Sequence, residues 1–193
     1  IAKAAPDGYT IGLSTSGPLA NNKFLFKSMS FDPEKNLAPV ILVGEIPLVI
    51  VANPNVKAAN LKDFVGLARI DAISAPITAF IPHVQSGKLR GLAVTSKARF
   101  PGLPDVPTAN EQGIDLEATV WFAIVGPAGM PRPIVERLNQ EIAVVLASPE
   151  GRQRLDQFGL VVGGGSPERL GQLMSAETAK WKRIIETANV RVE

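Results

Sequence analysis

The segment Tyr9-Thr-Ile-Gly-Leu-Ser14 mixes apolar with small or polar side chains behind the turn signal Pro6-Asp7-Gly8, a pattern that predicts a strand. The polar run Ser14-Thr15-Ser16-Gly17-Pro18 follows, and the spacing then predicts a helix from about Leu19 to Phe26. Phe31-Asp-Pro33 punctuates the next connection. Val40 to Val43 and Pro47 to Ala52 read as two β-rich runs, the second stopped by Asn53-Pro54-Asn55. Asn60 is placed to cap a helix starting at Leu61, with Asp63 in the first turn, where a carboxylate meets the positive end of the helix dipole. Leu61, Phe64, Val65 and Ala68 form its apolar stripe.

Beyond Asp71 the alternation of elements resumes. Asp71 opens the apolar strand Ala72-Ile73-Ser74-Ala75-Pro76, Ala79 to Ser86 reads as a short helix closed by Gly87, and Leu89 to Thr95 as a strand. Phe100 to Gly113 is a Pro-rich loop with one helical turn, and Thr119 to Val125 a further strand. The last third is helical. Pro131 and Pro133 introduce Ile134 to Ala147, with Ile134, Leu138 and Ile142 on one face. Ser148-Pro149-Glu150 and Ser166-Pro167-Glu168 each place a serine N-cap before proline at the first helical position. Leu170, Leu173, Met174, Trp181, Ile184 and Ile185 make the stripe of a final helix docked on a core. Strands alternating with helices predict an α/β architecture with a largely parallel sheet.

One place breaks the pattern. Arg69-Ile70-Asp71-Ala72-Ile73 passes from helical to strand-like spacing with no Gly, Pro or Asn between. A helix needs a terminating signal and a turn before a strand can begin. The sequence therefore reads as a join near residues 69–70, where intervening residues are missing.

Composition narrows the function classes. The 193 residues are 46% hydrophobic and 20% charged, the balance of a chain that buries a core. The 20 basic and 18 acidic residues are scattered, and aromatics are only 6%, so no basic stripe interleaved with aromatics marks a nucleic-acid binder. The densest basic segment, Lys180-Trp181-Lys182-Arg183, lies in the helical stripe and reads as a solvated face. The apolar stretch Pro39 to Ala52 is interrupted by Glu45 and too short to span a bilayer. With no cysteine, disulfides, thiolate catalysis and zinc–sulfur sites are excluded. A single histidine, His83, would have to serve any His-based metal site or Ser–His pair, and it reads as a structural or surface residue.

The remaining motifs fall short of chemistry. Gly163-Gly164-Gly165 sits between a strand and a helix but lacks the Gly-Lys-Ser/Thr of a phosphate loop, and Glu168 occupies the sixth position of GxGxxG. Gly12-Leu13-Ser14-Thr15-Ser16 lacks the closing glycine of a nucleophile elbow. A hydrolase using Ser14 or Ser16 would depend on His83 or a carboxylate such as Asp71 as base. The hydroxyl run after the strand suits a carboxylate differently, through hydroxyl and backbone N–H donors converging at a helix start; on spacing alone a plain capping turn serves equally. Asp71 could end a strand at a cleft or cap a turn. Trp121-Phe122 reads as core packing.

Taken together, several segments resemble the Bug-type extracytoplasmic solute receptors of tripartite tricarboxylate transporters. The resemblance runs through Ala2-Lys-Ala-Ala-Pro-Asp-Gly-Tyr-Thr10, Phe31-Asp-Pro-Glu-Lys-Asn-Leu-Ala-Pro-Val40, Pro47 to Pro54, Gly87 to Ser96 and Leu103-Pro-Asp-Val-Pro-Thr108. It continues in Trp121 to Gly129, Arg137-Leu-Asn139 and the tail from Ala179-Lys-Trp181 to Glu193. It implies a two-lobed type II periplasmic binding fold, incomplete here, with residues 1–50 and 125–193 in lobe one and 51–124 in lobe two. Lobe closure would hinge at Pro47 to Asn53 and Thr119 to Val125. It also implies stretches absent from this sequence: one before Ile1, holding the first strand, the first helix and a Pro/Gly-rich ligand loop, and one at the join near 69–70; any signal peptide is likewise outside this sequence.

The function implied is capture of a small carboxylate (a di- or tricarboxylate, amino acid or aromatic acid) in the periplasm for integral-membrane permease subunits. No enzyme activity, catalytic residue, cofactor, metal or nucleic acid is implied, and the complete protein is expected to be a monomer. Thr15, Ser16 and Gly17 match the family's hydroxyl and glycine loop, Asn22 its following Asn, and Asp71 its second-lobe strand motif, with Pro76 just beyond it at the cleft; Ser14 joins these as a ligand-binding candidate. Pro18 and Leu19 depart from the polar residues usual there. A truncated chain that binds nothing is the other reading the join leaves open.

Overall fold

The computed structural model describes residues 1–67 and 72–189. The chain opens with a turn, then β1 (Gly12–Thr15) leads without a loop into a π-type turn (Gly17–Asn21) continued by α1 (Asn22–Leu25). Next come α2 (Pro33–Asn36), β2 (Leu37–Ala52) and α3 (Leu61–Gly66). β3 (Ala72–Pro76), a 3-10 turn (Ile77–Ala79), α4 (Ile81–Gln85) and β4 (Arg90–Val94) follow. After a second 3-10 turn (Asn110–Gln112), β5 (Thr119–Pro127), α5 (Arg132–Ala147), α6 (Pro149–Gln157), β6 (Val161–Val162) and α7 (Pro167–Ala188) complete it. Two compact units divide the chain: residues 1–44 with 121 onward, and residues 45–120.

In the first unit β1 pairs antiparallel with β5, from Gly12 opposite Val125 to Thr15 opposite Phe122. β5 and β6 both lie beside β2. Alternation along β5 buries Trp121, Ala123 and Val125 on one face, where they meet Leu37 and Leu42 of β2, Leu19 and Ala20 of the π-type turn, and Leu170 and Met174 of α7. A second cluster joins Val40 and Ile41 to Met130 and Val135, with Ile134, Leu138 and Ile142 of α5 packed on it. The helix starts match their sequence signals. Ser148 Oγ accepts from Gly151 N at 3.0 Å and Ser166 Oγ from Arg169 N at 3.3 Å, relieving donors that a helix start leaves unpaired.

The second unit is organised on the far half of β2, which runs between β3 and β4 and is antiparallel to both. Ala52, Leu92 and Ala93 pack with Leu61 and Ala109 into its core. Asn60 Oδ1 caps α3 by accepting from Asp63 N at 2.8 Å. Buried Thr95 ties three segments together: its Oγ1 accepts from Leu48 N at 3.1 Å and donates to the Ala118 carbonyl, while its own N–H donates to the Leu48 carbonyl. Where β5 starts, Thr119 Oγ1 donates to Glu45 Oε2 at 3.0 Å.

Thr108-Ala-Asn-Glu111 forms a reciprocal capping box: Glu111 N donates to Thr108 Oγ1, and Thr108 N to Glu111 Oε2. Arg99 closes on the same carboxylate, with Nη2 2.8 Å from Oε2. The Arg99 hydrogen bond, helped by the Thr108 N–H, holds the Glu111 carboxyl below its ordinary range. A depressed carboxyl stabilises the fold above its unfolded pKa, and that stabilisation is lost as pH falls through the folded value. Thermal midpoints measured from about pH 6 down to about pH 3 should therefore fall more steeply for the unaltered chain than for Glu111→Gln. Parallel curves would remove the assignment.

Four expectations change. The β1–β5, β2–β3 and β2–β4 pairings are antiparallel rather than parallel, because hydrophobic spacing carries no information on strand direction. The two runs at 40–43 and 47–52 are one strand of 16 residues. The first strand begins only at Gly12, leaving Tyr9 94% exposed. Val65 is also exposed, since the six-residue α3 meets the core through Leu61 and Phe64 alone. The suspected join near 69–70 lies outside the described residues.

Candidate functional site

The hydroxyl segment is built by the direct passage from β1 into helix. Thr15 is the last strand residue, and Ser16 already has helical dihedrals, φ −49° and ψ −37°, with no side-chain cap bond. A strand sends successive side chains to opposite faces, so Ser14 and Thr15 diverge. Ser14 lies opposite buried Ala123 and shares its face. Ser16 is buried at the mouth of the turn. Gly17 and Asn22 meet one turn on. The Asn22 N–H donates to the Gly17 carbonyl, and a Cβ on Gly17 would stand 3.3 Å from Asn22 Oδ1. The π-type spacing thus folds the asparagine back over the glycine, in the kind of local widening that recurs at binding sites.

Of the second-unit candidates, Pro76 ends β3 opposite Leu48 and caps the 3-10 turn at Ile77, exposed to solvent. Asp71 lies outside the described residues. His83 is exposed on α4, where only its carbonyl is engaged, by Ser86 Oγ and Leu89 N. The glycine run is a connecting turn. Gly164 and Gly165 take φ of +98° and +94°, and Asn139 Nδ2 donates to the carbonyls of both Gly165 and Val40 at 2.8 Å. Trp121 is fully buried in the first-unit core, and its Nε1 has no partner among the described residues. Among the described residues no three His, Asp or Glu side chains gather as a metal ion would require. No described helix is long and apolar enough to cross a membrane.

Ser14 also lines a feature that linear spacing does not reveal. A cavity of about 390 Å³ opens in the first unit between Ile1, Ala2, Lys3, Ser14, Ser30, Phe31, Leu37 and Val125. Its walls come from five separate segments, so only the fold assembles them.

Comparison with known proteins agrees along the length of the chain. The family described as "Tripartite tricarboxylate transporter family receptor" matches residues 1–74 and 68–190. The chain is 28% identical to the UPF0065 protein in the tcbD-tcbE intergenic region of Pseudomonas sp. (strain P51), with 96% of this chain and 70% of the relative covered. That alignment spans 238 positions, more than the 193 residues available, so the relative carries residues within the matched range that have no counterpart here. The R. palustris protein Rpa4515, solved with adipate, superposes with a TM-score of 0.81 at 25% identity, covering 100% of this chain and 82% of that one. The periplasmic binding protein BugD superposes at 0.79 and 24% identity with the same coverage, which establishes the α/β periplasmic-binding-protein fold. The two family matches overlap at residues 68–74, around the break in sequence pattern at 69–70.

Proposed function

Because this chain belongs to the tripartite tricarboxylate transporter receptor family, we propose that it is a solute-binding receptor that captures a small carboxylate and releases it unchanged. The observation that carries the reading is the similarity, over the whole chain, to a protein solved with adipate. Family membership supports, as part of this reading, a periplasmic location and delivery of the ligand to integral-membrane permease subunits.

The candidate ligand groups of the first unit are Ser14, Thr15, Ser16, Gly17 and Asn22, and those of the second are Asp71 and Pro76. Hydroxyls, amide groups and backbone N–H donors can satisfy a carboxylate's lone pairs at modest desolvation cost, with water completing the shell. No arginine lies in the Ser14–Asn22 segment. An anion held by neutral donors is released more readily than one clamped by a buried guanidinium, which suits a carrier.

Thermal-shift titration with adipate, shorter dicarboxylates, amino acids and aromatic acids tests this. A true ligand at a hundred times its Kd stabilises the folded chain by about 2.7 kcal/mol. Ser16→Ala should weaken that ligand about tenfold, the loss of a hydrogen bond to a charged group. A folded chain whose unfolding midpoint moves with none of these acids would remove the receptor reading.

A further inference from the structure

We propose that α6 and the end of α5 form a contact surface for a second copy of this chain, with the two α6 helices antiparallel across a twofold axis. The proposal is independent of the receptor reading and departs from the monomer that the family resemblance implies. Every residue it uses lies between Val144 and Val161, within the first unit. β2 and β5 separate β6 from β1, so the surface stands across the sheet from the Ile1 side chain, which lies against Gly12 of β1.

α6 packs against α5 and β6 and has no fully buried residue. Its half-buried positions Gly151 and Leu155 are one turn apart and mark the side that packs. A Cβ on Gly151 would stand 2.0 Å from the Val145 carbonyl oxygen, so the two helices meet closely there. Around this contact stand Val144 and Val145 of α5, Phe158 at the end of α6 and Val161 of β6, each between 55% and 69% exposed. A single exposed apolar side chain is ordinary, but four large ones on three neighbouring elements mark a contact face. Among the described residues β6 pairs only with β2, which leaves its other edge open.

The charges on α6 indicate what covers the face. Glu150 and Arg154 are one turn apart, and neither side chain makes a hydrogen bond or ion pair among the described residues. Arg152, between them, is turned aside, its Nε donating to the Ala147 carbonyl at 3.1 Å. An acid followed one turn later by a base is self-complementary. In an antiparallel copy Glu150 meets Arg154 and Arg154 meets Glu150, whereas a parallel copy would set like charges together. The apolar groups obey the same axis. Phe158 lies about 6 Å beyond Arg154 along the helix. The matching place in the second copy is one turn before Glu150, where α5 ends with Val144 and Val145 exposed. One twofold operation thus pairs both charges and covers both apolar sets.

Sedimentation velocity of this chain from about 5 μM to about 1,000 μM should show a monomer–dimer equilibrium with Kd on the order of 100 μM, as suits a small interface. Glu150→Arg and Arg154→Glu should each weaken the dimer about tenfold or more at low salt, by setting like charges face to face. The double exchange should return it to within about threefold of the unaltered chain. Phe158→Ser changes an exposed position and should weaken the dimer about tenfold or more at any salt. Circular dichroism checks that each variant is folded. A chain monomeric throughout would overturn the proposal, including one whose Phe158 proves to bind lipid vesicles or another protein. So would a dimer indifferent to Phe158→Ser, or a double exchange no better than the single ones.

Discussion

Trp121→Ala is expected to cost about 3–5 kcal/mol of folding free energy, the range for emptying a large aromatic from a packed core. The indole is fully buried at the centre of the first-unit cluster, against Leu19, Leu170 and Met174, so no solvent is at hand to fill the space. Trp121→Phe separates bulk from polarity. The Nε1–H has no partner among the described residues, so phenylalanine forfeits no hydrogen bond there and removes a buried donor whose isolation costs about 1–3 kcal/mol. Urea unfolding of both variants should place Phe much nearer the unaltered chain than Ala. Equal losses would show that the N–H is engaged after all.

Thr95→Val should cost about 1–3 kcal/mol although the two side chains have nearly the same shape. The substitution leaves the half-buried Leu48 N–H without its hydroxyl acceptor and the buried Ala118 carbonyl without its hydroxyl donor. At roughly 2–4 °C per kcal/mol for a chain of this size, the thermal midpoint should drop by several degrees. Thr95→Ser keeps the hydroxyl and should recover most of the loss. If Ser and Val were equally harmful, the methyl rather than the hydroxyl would be what matters at this position.

Features written within a few residues were legible in the sequence. Asn60, Ser148 and Ser166 cap the helices they precede, because a cap is a local contract between one side chain and an N–H two or three positions on. The stripe of α7 was legible for Leu170, Met174 and Ile185, all buried. What failed depends on distant partners. Val40 to Val43 and Pro47 to Ala52 read as two runs, yet β2 runs through both and through Gly44-Glu45 between them. Gly44 is needed because a Cβ there would stand 2.7 Å from the Val161 carbonyl oxygen, and Glu45 is engaged by Thr119 across 74 residues. The candidate site was legible as a hydroxyl segment but not as a geometry. Spacing did not disclose that the helical turn begins directly at Ser16, nor that Lys3, Ser30 and Phe31 gather beside Ser14.

The hydrogen bond from Thr119 to Glu45 has a bearing on how such a chain can be rearranged. Those two residues stand at the entrance and exit of the second unit, so its ends are held side by side. In topological terms that unit is one excursion inserted into a host, joined by two neighbouring strands rather than threaded through it. Inserts with adjacent ends can be lengthened, shortened or exchanged without rerouting the host chain. A family built this way can change what one unit presents while the other keeps its sheet order.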